Sequence, residues 1–189
     1  MLEYRYRTGR HPIRAFADNR RKKAGILMKS VWVINGPNLN LLGKREPEIY
    51  GQKTLADLES LLRKKAEEHG IRLVFRQSNH EGQIIDWLHE ANGDKTALGI
   101  ILNPGAFTHY SYAIFDAVKA IEVPVFEVHL TNIFAREPFR SRSVIAPAAA
   151  GHICGAGFYG YELALQFFID LRKRRGENGK AGEDPEKNQ

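Results

Sequence analysis

Apolar residues along the chain fall alternately into short runs and into helical stripes. Ser30 to Asn35 (SVWVIN) is a short apolar run that stops at Gly36-Pro37-Asn38, which predicts a strand closed by a turn. From Thr54 to Gly70 the stripe Leu55, Leu58, Leu61 and Leu62 predicts a helix. Thr54 and Asp57 have the spacing of a capping box, and Gly70 is the stop. Ile71 to Gln77 reads as a second strand, and Ser78 or Asn79 as the cap of a helix from about Glu81 to Ala91. Ala97 to Leu102 reads as a third strand, closing on Asn103-Pro104-Gly105. A helix over Tyr110 to Ile121, a fourth strand over Val125 to His129, a fifth over Ser143 to Ile145 and a last helix over Phe158 to Lys173 complete the pattern.

Strands alternating with helices at this spacing predict an α/β domain. The expected form is a flavodoxin-like, doubly wound, five-stranded parallel sheet in three layers. Residues 30–171 would form that single domain, between an extension over 1–29 and a charged tail over 172–189, both read as disordered. Ligands of such sheets bind beyond the carboxyl ends of the strands, where the strand order switches. The rule selects Asn35-Gly36-Pro37-Asn38, Asn103-Pro104-Gly105 with His109, and His129-Leu130-Thr131.

Charge changes the picture only at first sight. The chain of 189 residues carries a net charge of +6, which on a basic face would suggest nucleic acid. Residues 1–29 hold nine Lys/Arg against Glu3 and Asp18, and residues 172–189 hold six against four acids, so the stretch between them is acidic overall. No nucleic-acid partner is expected. No apolar run is long enough to span a membrane, and none near the start reads as a secretory signal. The extension is either a solvated arm or translation begun upstream of Met28. Cys154 is the lone cysteine, so no internal disulfide is possible, which fits a reducing, cytoplasmic setting.

Several residue groups are candidates for chemistry. Gly43 to Gly51 (GKREPEIYG) is bracketed by glycines and holds Arg45 and Tyr50. It is either an ordinary surface loop or a lid. A free tyrosine titrates near ~10, and an adjacent guanidinium favours the phenolate, so Tyr50 beside Arg45 could act as a general base. Glu127 and His129 share one face of a strand. They are either a structural ion pair or a carboxylate that orients an imidazole acid. His109 and Asp116, seven apart, share a helical face if the helix starts near His109, with Thr108 as its cap. Arg136 and Arg140 are either a solvated turn or a clamp for an acidic substrate. Gly155-Ala156-Gly157-Phe158-Tyr159-Gly160 reads G-x-G-x-x-G, but no strand with an acidic residue follows it, so tight packing is the better account. The histidines show no metal-binding spacing, and no metal is expected. Tyr110 and Tyr112 read as packing or interface residues.

Together these groups resemble the type II 3-dehydroquinases. Asn35-Gly36-Pro37-Asn38-Leu39-Asn40, Leu42-Gly43, Arg45-Glu46-Pro47 and Tyr50-Gly51 are similar to that family's first block, and Gln77 to Gly82 (QSNHEG) to its second. Asn103 to His109 (NPGAFTH) is similar to the third block. Glu127 to Asn132 (EVHLTN) with Ala135-Arg136-Glu137 and Phe139-Arg140 is similar to the fourth, and Gly151 to Tyr161 to the last. The resemblance implies a flavodoxin-like fold, a dodecamer built of trimers, and anti elimination of water from 3-dehydroquinate through an enolate, with no cofactor, metal or Schiff base. It also implies roles. Tyr50 takes the proton beside the ketone, and Arg45 keeps it a phenolate. Asn38 helps hold the water that stabilises the enolate. His129, oriented by Glu127, protonates the leaving hydroxyl. Asn103, His109, Leu130, Thr131 and Arg140 bind substrate, Asp116 enters from a neighbouring subunit, and Arg136 lies near the lid. Thr131 stands where Ser is common, Phe134 where His is frequent, and Tyr110 and Tyr112 where residues are smaller. A nucleotide-dependent oxidoreductase, resting on the glycine motif, and a non-catalytic flavodoxin-like binding protein are the alternatives.

Overall fold

The computed structural model describes residues 27–44 and 53–180, with side chains through Arg174. The extension before Leu27, Arg45 and Tyr50 lie outside the described residues. Five strands, β1 (Ser30–Asn35), β2 (Arg72–Gln77), β3 (Ala97–Asn103), β4 (Val125–His129) and β5 (Gly151–Cys154), form one sheet in the order β2-β1-β3-β4-β5. Every pairing is parallel, which is the expected doubly wound order. Helices α1 (Leu55–Glu68), α2 (Glu81–Gly93), α3 (Tyr112–Ala120) and α4 (Gly157–Lys180) cover it.

Two cores explain why β1 reads as an unbroken apolar run rather than an alternation. Val31 and Val33 face Leu58, Leu62 and Ala66 of α1 and Tyr161, Leu165 and Phe168 of α4. Trp32 and Ile34 face Ile84 and Leu88 of α2 and Ile114 and Val118 of α3. A strand covered on both faces buries every side chain, and all of β1 is buried. Gly99 lets α4 close on β3, because a Cβ there would lie 1.9 Å from the Phe168 ring.

Local signals place most elements. The Thr54–Asp57 capping box is formed in both directions, and Gly70 takes φ 63 after α1. Three expectations fail. The fifth strand is not Ser143–Ile145 but Gly151–Cys154. Ser143 Oγ accepts from the N–H groups of Ile145 (3.2 Å) and Ala146 (2.8 Å), which makes a turn instead of a strand. Helix α2 is entered at His80 without a side-chain cap, since Ser78 Oγ accepts from the His80 N–H and Asn79 turns away. Helix α3 starts at Tyr112, capped by Ser111 Oγ on the Ile114 N–H. Thr108 is therefore no cap, and His109 ends a 3-10 turn (Gly105–His109) rather than opening a helix. His109 and Asp116 do not share a helix face, and Asp116 is exposed on α3.

Candidate active site

The turns after β1 and β3 are pressed together at the switch in strand order. The Gly36 N–H donates to the Asn103 carbonyl at 2.7 Å, and a Cβ on Gly36 would lie 2.4 Å from the Pro104 carbonyl oxygen. No larger residue fits there. Asn38 then adopts φ 66, a left-handed conformation that Asn tolerates better than most residues. Asn79 Oδ1 holds this turn by accepting from the Asn38 N–H and from Gln77 Nε2, both at 3.0 Å. That contact is what the QSNH segment contributes.

Beneath the turns runs a buried amide–phenol chain. Asn103 Nδ2 donates to Tyr161 Oη at 2.8 Å, and Tyr161 Oη donates to Asn35 Oδ1 at 2.7 Å. Asn35 Nδ2 donates to the Arg76 carbonyl, and Asn103 Oδ1 accepts from the Gly105 N–H. Burial pushes the Tyr161 phenol well above its ordinary pKa, and the Asn103 bond opposes this only in part, so Tyr161 stays a neutral donor. The chain fixes which way round the Asn103 amide sits and leaves one of its N–H groups for a ligand. Sequence reasoning missed Tyr161. Its signal was the glycine motif just before it, which lets α4 start close to the sheet: a Cβ on Gly160 would lie 2.9 Å from Ile153. Tyr161→Phe should leave Asn35 Oδ1 and an Asn103 N–H unpaired. The expected loss is about 1–3 kcal/mol of stability in denaturant melts, with KM raised more than kcat is lowered.

At the end of β4, Glu127 is fully buried and His129 nearly so. His129 Nε2 lies 2.7 Å from Glu127 Oε1. Thr108 Oγ1 donates to the same oxygen, and Ser143 Oγ lies 3.0 Å from both carboxylate oxygens. Burial works to raise the Glu127 pKa. The hydrogen bond and charge of His129, with the Thr108 hydroxyl, outweigh it and hold the carboxyl below its usual range. An ionised carboxylate held by these donors fixes the orientation of the His129 ring.

His152 is a second residue that sequence reasoning missed. On β5 it stands in register with Glu127, and its ring lies 5.6 Å from that of His129. Burial lowers its pKa, Glu127 opposes that shift, and His129 adds to it. Correct placement of the fifth strand would have put it beside Glu127.

These elements enclose a cleft of about 160 Å³ at the carboxyl ends of the strands. Asn38, Asn103, His109, His129, Leu130, Thr131 and Arg140 line it, together with Arg136. His109 Nδ1 lies 2.8 Å from the Arg142 carbonyl, which can only accept, so Nδ1 carries the proton and Nε2 is left for a ligand. Arg140 Nε lies 3.1 Å from the Glu137 carboxylate, and its guanidinium sits over the Phe139 ring at 4.8 Å. Among the candidate residues, Glu127 sits directly behind His129, and Asp116 is not part of this chain's own cleft. Leu41 and Leu42 also line the cleft, a few residues before Arg45 in the sequence. The cleft thus combines an oriented imidazole, amide donors and two guanidiniums, a set suited to proton transfer on a small oxygen-rich anion.

The family described as Dehydroquinase class II matches residues 29–169. The 3-dehydroquinate dehydratase of Halalkalibacterium halodurans is 59% identical over 147 residues, covering 78% of this chain and 100% of that protein. The 3-dehydroquinate dehydratase of Bacillus licheniformis is 57% identical over 147 residues, with the same coverage. The crystal structure of a type II dehydroquinase from Butyrivibrio crossotus superposes with a TM-score of 0.72 at 44% identity, covering 74% of this chain and 97% of that one.

Proposed function

The chain belongs to the Dehydroquinase class II family, and from that premise we propose that it eliminates water from 3-dehydroquinate to give 3-dehydroshikimate. It is a hydro-lyase of the shikimate pathway. The observation that carries the chemical reading is His129 lining the cleft with the buried Glu127 carboxylate behind it.

Tyr50, as phenolate beside Arg45, removes the proton next to the ketone. The electron pair moves onto the ketone oxygen as an enolate. A water held by Asn38 hydrogen-bonds that oxygen and lowers the barrier. The enolate collapses, the carbon–oxygen bond to the leaving hydroxyl breaks, and His129 delivers its proton to that oxygen, so water departs. Base and acid stand on opposite faces of the ring, which gives anti stereochemistry. The proton then on Tyr50 returns through solvent to His129 before the next turnover. Asn103, His109, Thr131 and the Leu130 backbone hold substrate hydroxyls, and Arg140 holds the carboxylate.

Purified protein incubated with 3-dehydroquinate and no added cofactor should develop the absorbance of a conjugated enone. A flat trace would sink the reading. The same premise carries a dodecamer built of trimers, with Asp116 reaching a neighbour's cleft, and a cytoplasmic setting consistent with one thiol and no disulfide. Asp116 supports this by its exposure on α3. Light scattering of the full chain should return twelve copies per particle, and a monomer would rule the assembly out.

A further inference from the structure

Glu127, His129 and His152 bring one carboxylate oxygen and two imidazole nitrogens within 4.8 Å of one another. The register of two strands makes this cluster. Glu127 and His152 stand opposite on β4 and β5, and His129, two residues along, projects from the same face. Nothing in the spacing along the chain announces it.

His152 Nε2 is buried and has no hydrogen-bond partner among the described residues. Its ring is flanked by His129 at 5.6 Å and by Phe134 at 6.2 Å. A buried polar nitrogen left unpaired lowers stability unless something occupies its lone pair or proton. Two imidazoles and one carboxylate form a donor set that zinc accepts with a fourth position open. Zinc–ligand bonds of about 2.0–2.2 Å place the ligand atoms of such a site roughly 3–3.5 Å apart. The three ligand atoms lie within 4.8 Å of one another, so binding an ion would draw them closer. The carboxylate is already held from behind by the hydroxyls of Thr108 and Ser143, which is the outer support a metal ligand needs. His129 lines the cleft, whereas Glu127 and His152 do not, so the ion would sit behind the imidazole.

We propose that Glu127, His129 and His152 form a site for a divalent zinc ion that inhibits the enzyme when occupied. Binding displaces the proton shared by Glu127 and His129 to solvent, and the imidazole can no longer protonate a leaving group. The metal plays no part in the reaction itself. The inhibition rests on the acid role given to His129, whereas the binding of the ion does not.

The test uses the full chain in chelator-treated buffer, with zinc chloride and, separately, cobalt(II) chloride as probes. Zinc should inhibit turnover reversibly, with activity restored by EDTA. His152→Gln should keep metal-free turnover and need at least roughly tenfold more zinc for the same inhibition. Cys154→Ser should be inhibited like the parent. Cobalt should give visible d–d bands of low coordination number, absent in His152→Gln. Equal zinc sensitivity in the parent and His152→Gln would overturn the site, as would the absence of both inhibition and cobalt bands. Cobalt bands lost in His152→Gln, in a protein that zinc does not inhibit, would keep the site and sink the acid role of His129.

Discussion

Tyr50→Phe is expected to reduce kcat by about 10²–10⁴-fold, the range spanned by a positioned acid or base, with an unchanged melting temperature. The substitution removes one oxygen and nothing else, so the ring keeps whatever packing it has. A phenol with its ordinary pKa near ~10 is almost wholly protonated at neutral pH. It works as a base only if a nearby cation favours the phenolate, and Arg45 is the cation proposed for that task. Kinetics with 3-dehydroquinate, paired with thermal melts, measure both arms. Turnover at the parent rate would remove Tyr50 from the base role and leave the proposed elimination without its first step.

Glu127→Gln should bring a loss of similar size, about 10²–10⁴-fold in kcat, through a different cause. The carboxylate accepts from His129, Thr108 and Ser143. An amide of the same volume has one oxygen and presents N–H groups where a second acceptor stood. At the Oε2 position an amide N–H meets Ser143 Oγ, which already accepts from the Ile145 and Ala146 N–H groups. The His129 ring loses the anion that fixes its orientation, and stability should fall by about 1–3 kcal/mol. Steady-state rates on the folded fraction and denaturant melts separate the two effects. A variant that is less stable yet turns over normally would show the pair to be structural, the other reading open from the sequence.

These two predictions draw on different parts of the molecule. Glu127 and His129 are two apart on one strand, so period-two alternation alone puts them on one face, and β4 has the bounds the sequence predicts. Strand β1 and the capped start of α1 were equally legible, because each rests on contacts within a few residues. The fifth strand was misplaced because its evidence is not local. Ser143–Ile145 has strand-like residues, but its serine is drawn to a turn and to Glu127. Gly151–Cys154 is a weak strand by composition, and it pairs because Gly151 can lie against Phe126, where a Cβ would come within 2.4 Å of the ring.

By itself the sequence determined the α/β alternation, the doubly wound sheet, and the turns that carry Asn38, Asn103 and His129 to one end of it. Periodicity, capping and turn chemistry act over a handful of residues and are written in the order of the chain. Tertiary structure alone decided that Tyr161 locks the Asn103 amide, that Thr108 and Ser143 hold Glu127, and that His152 stands beside His129. Those partners meet only through strand register and the closure of α4 on the sheet. A hydrogen bond between residues far apart in the chain depends on backbone geometry that no local pattern encodes.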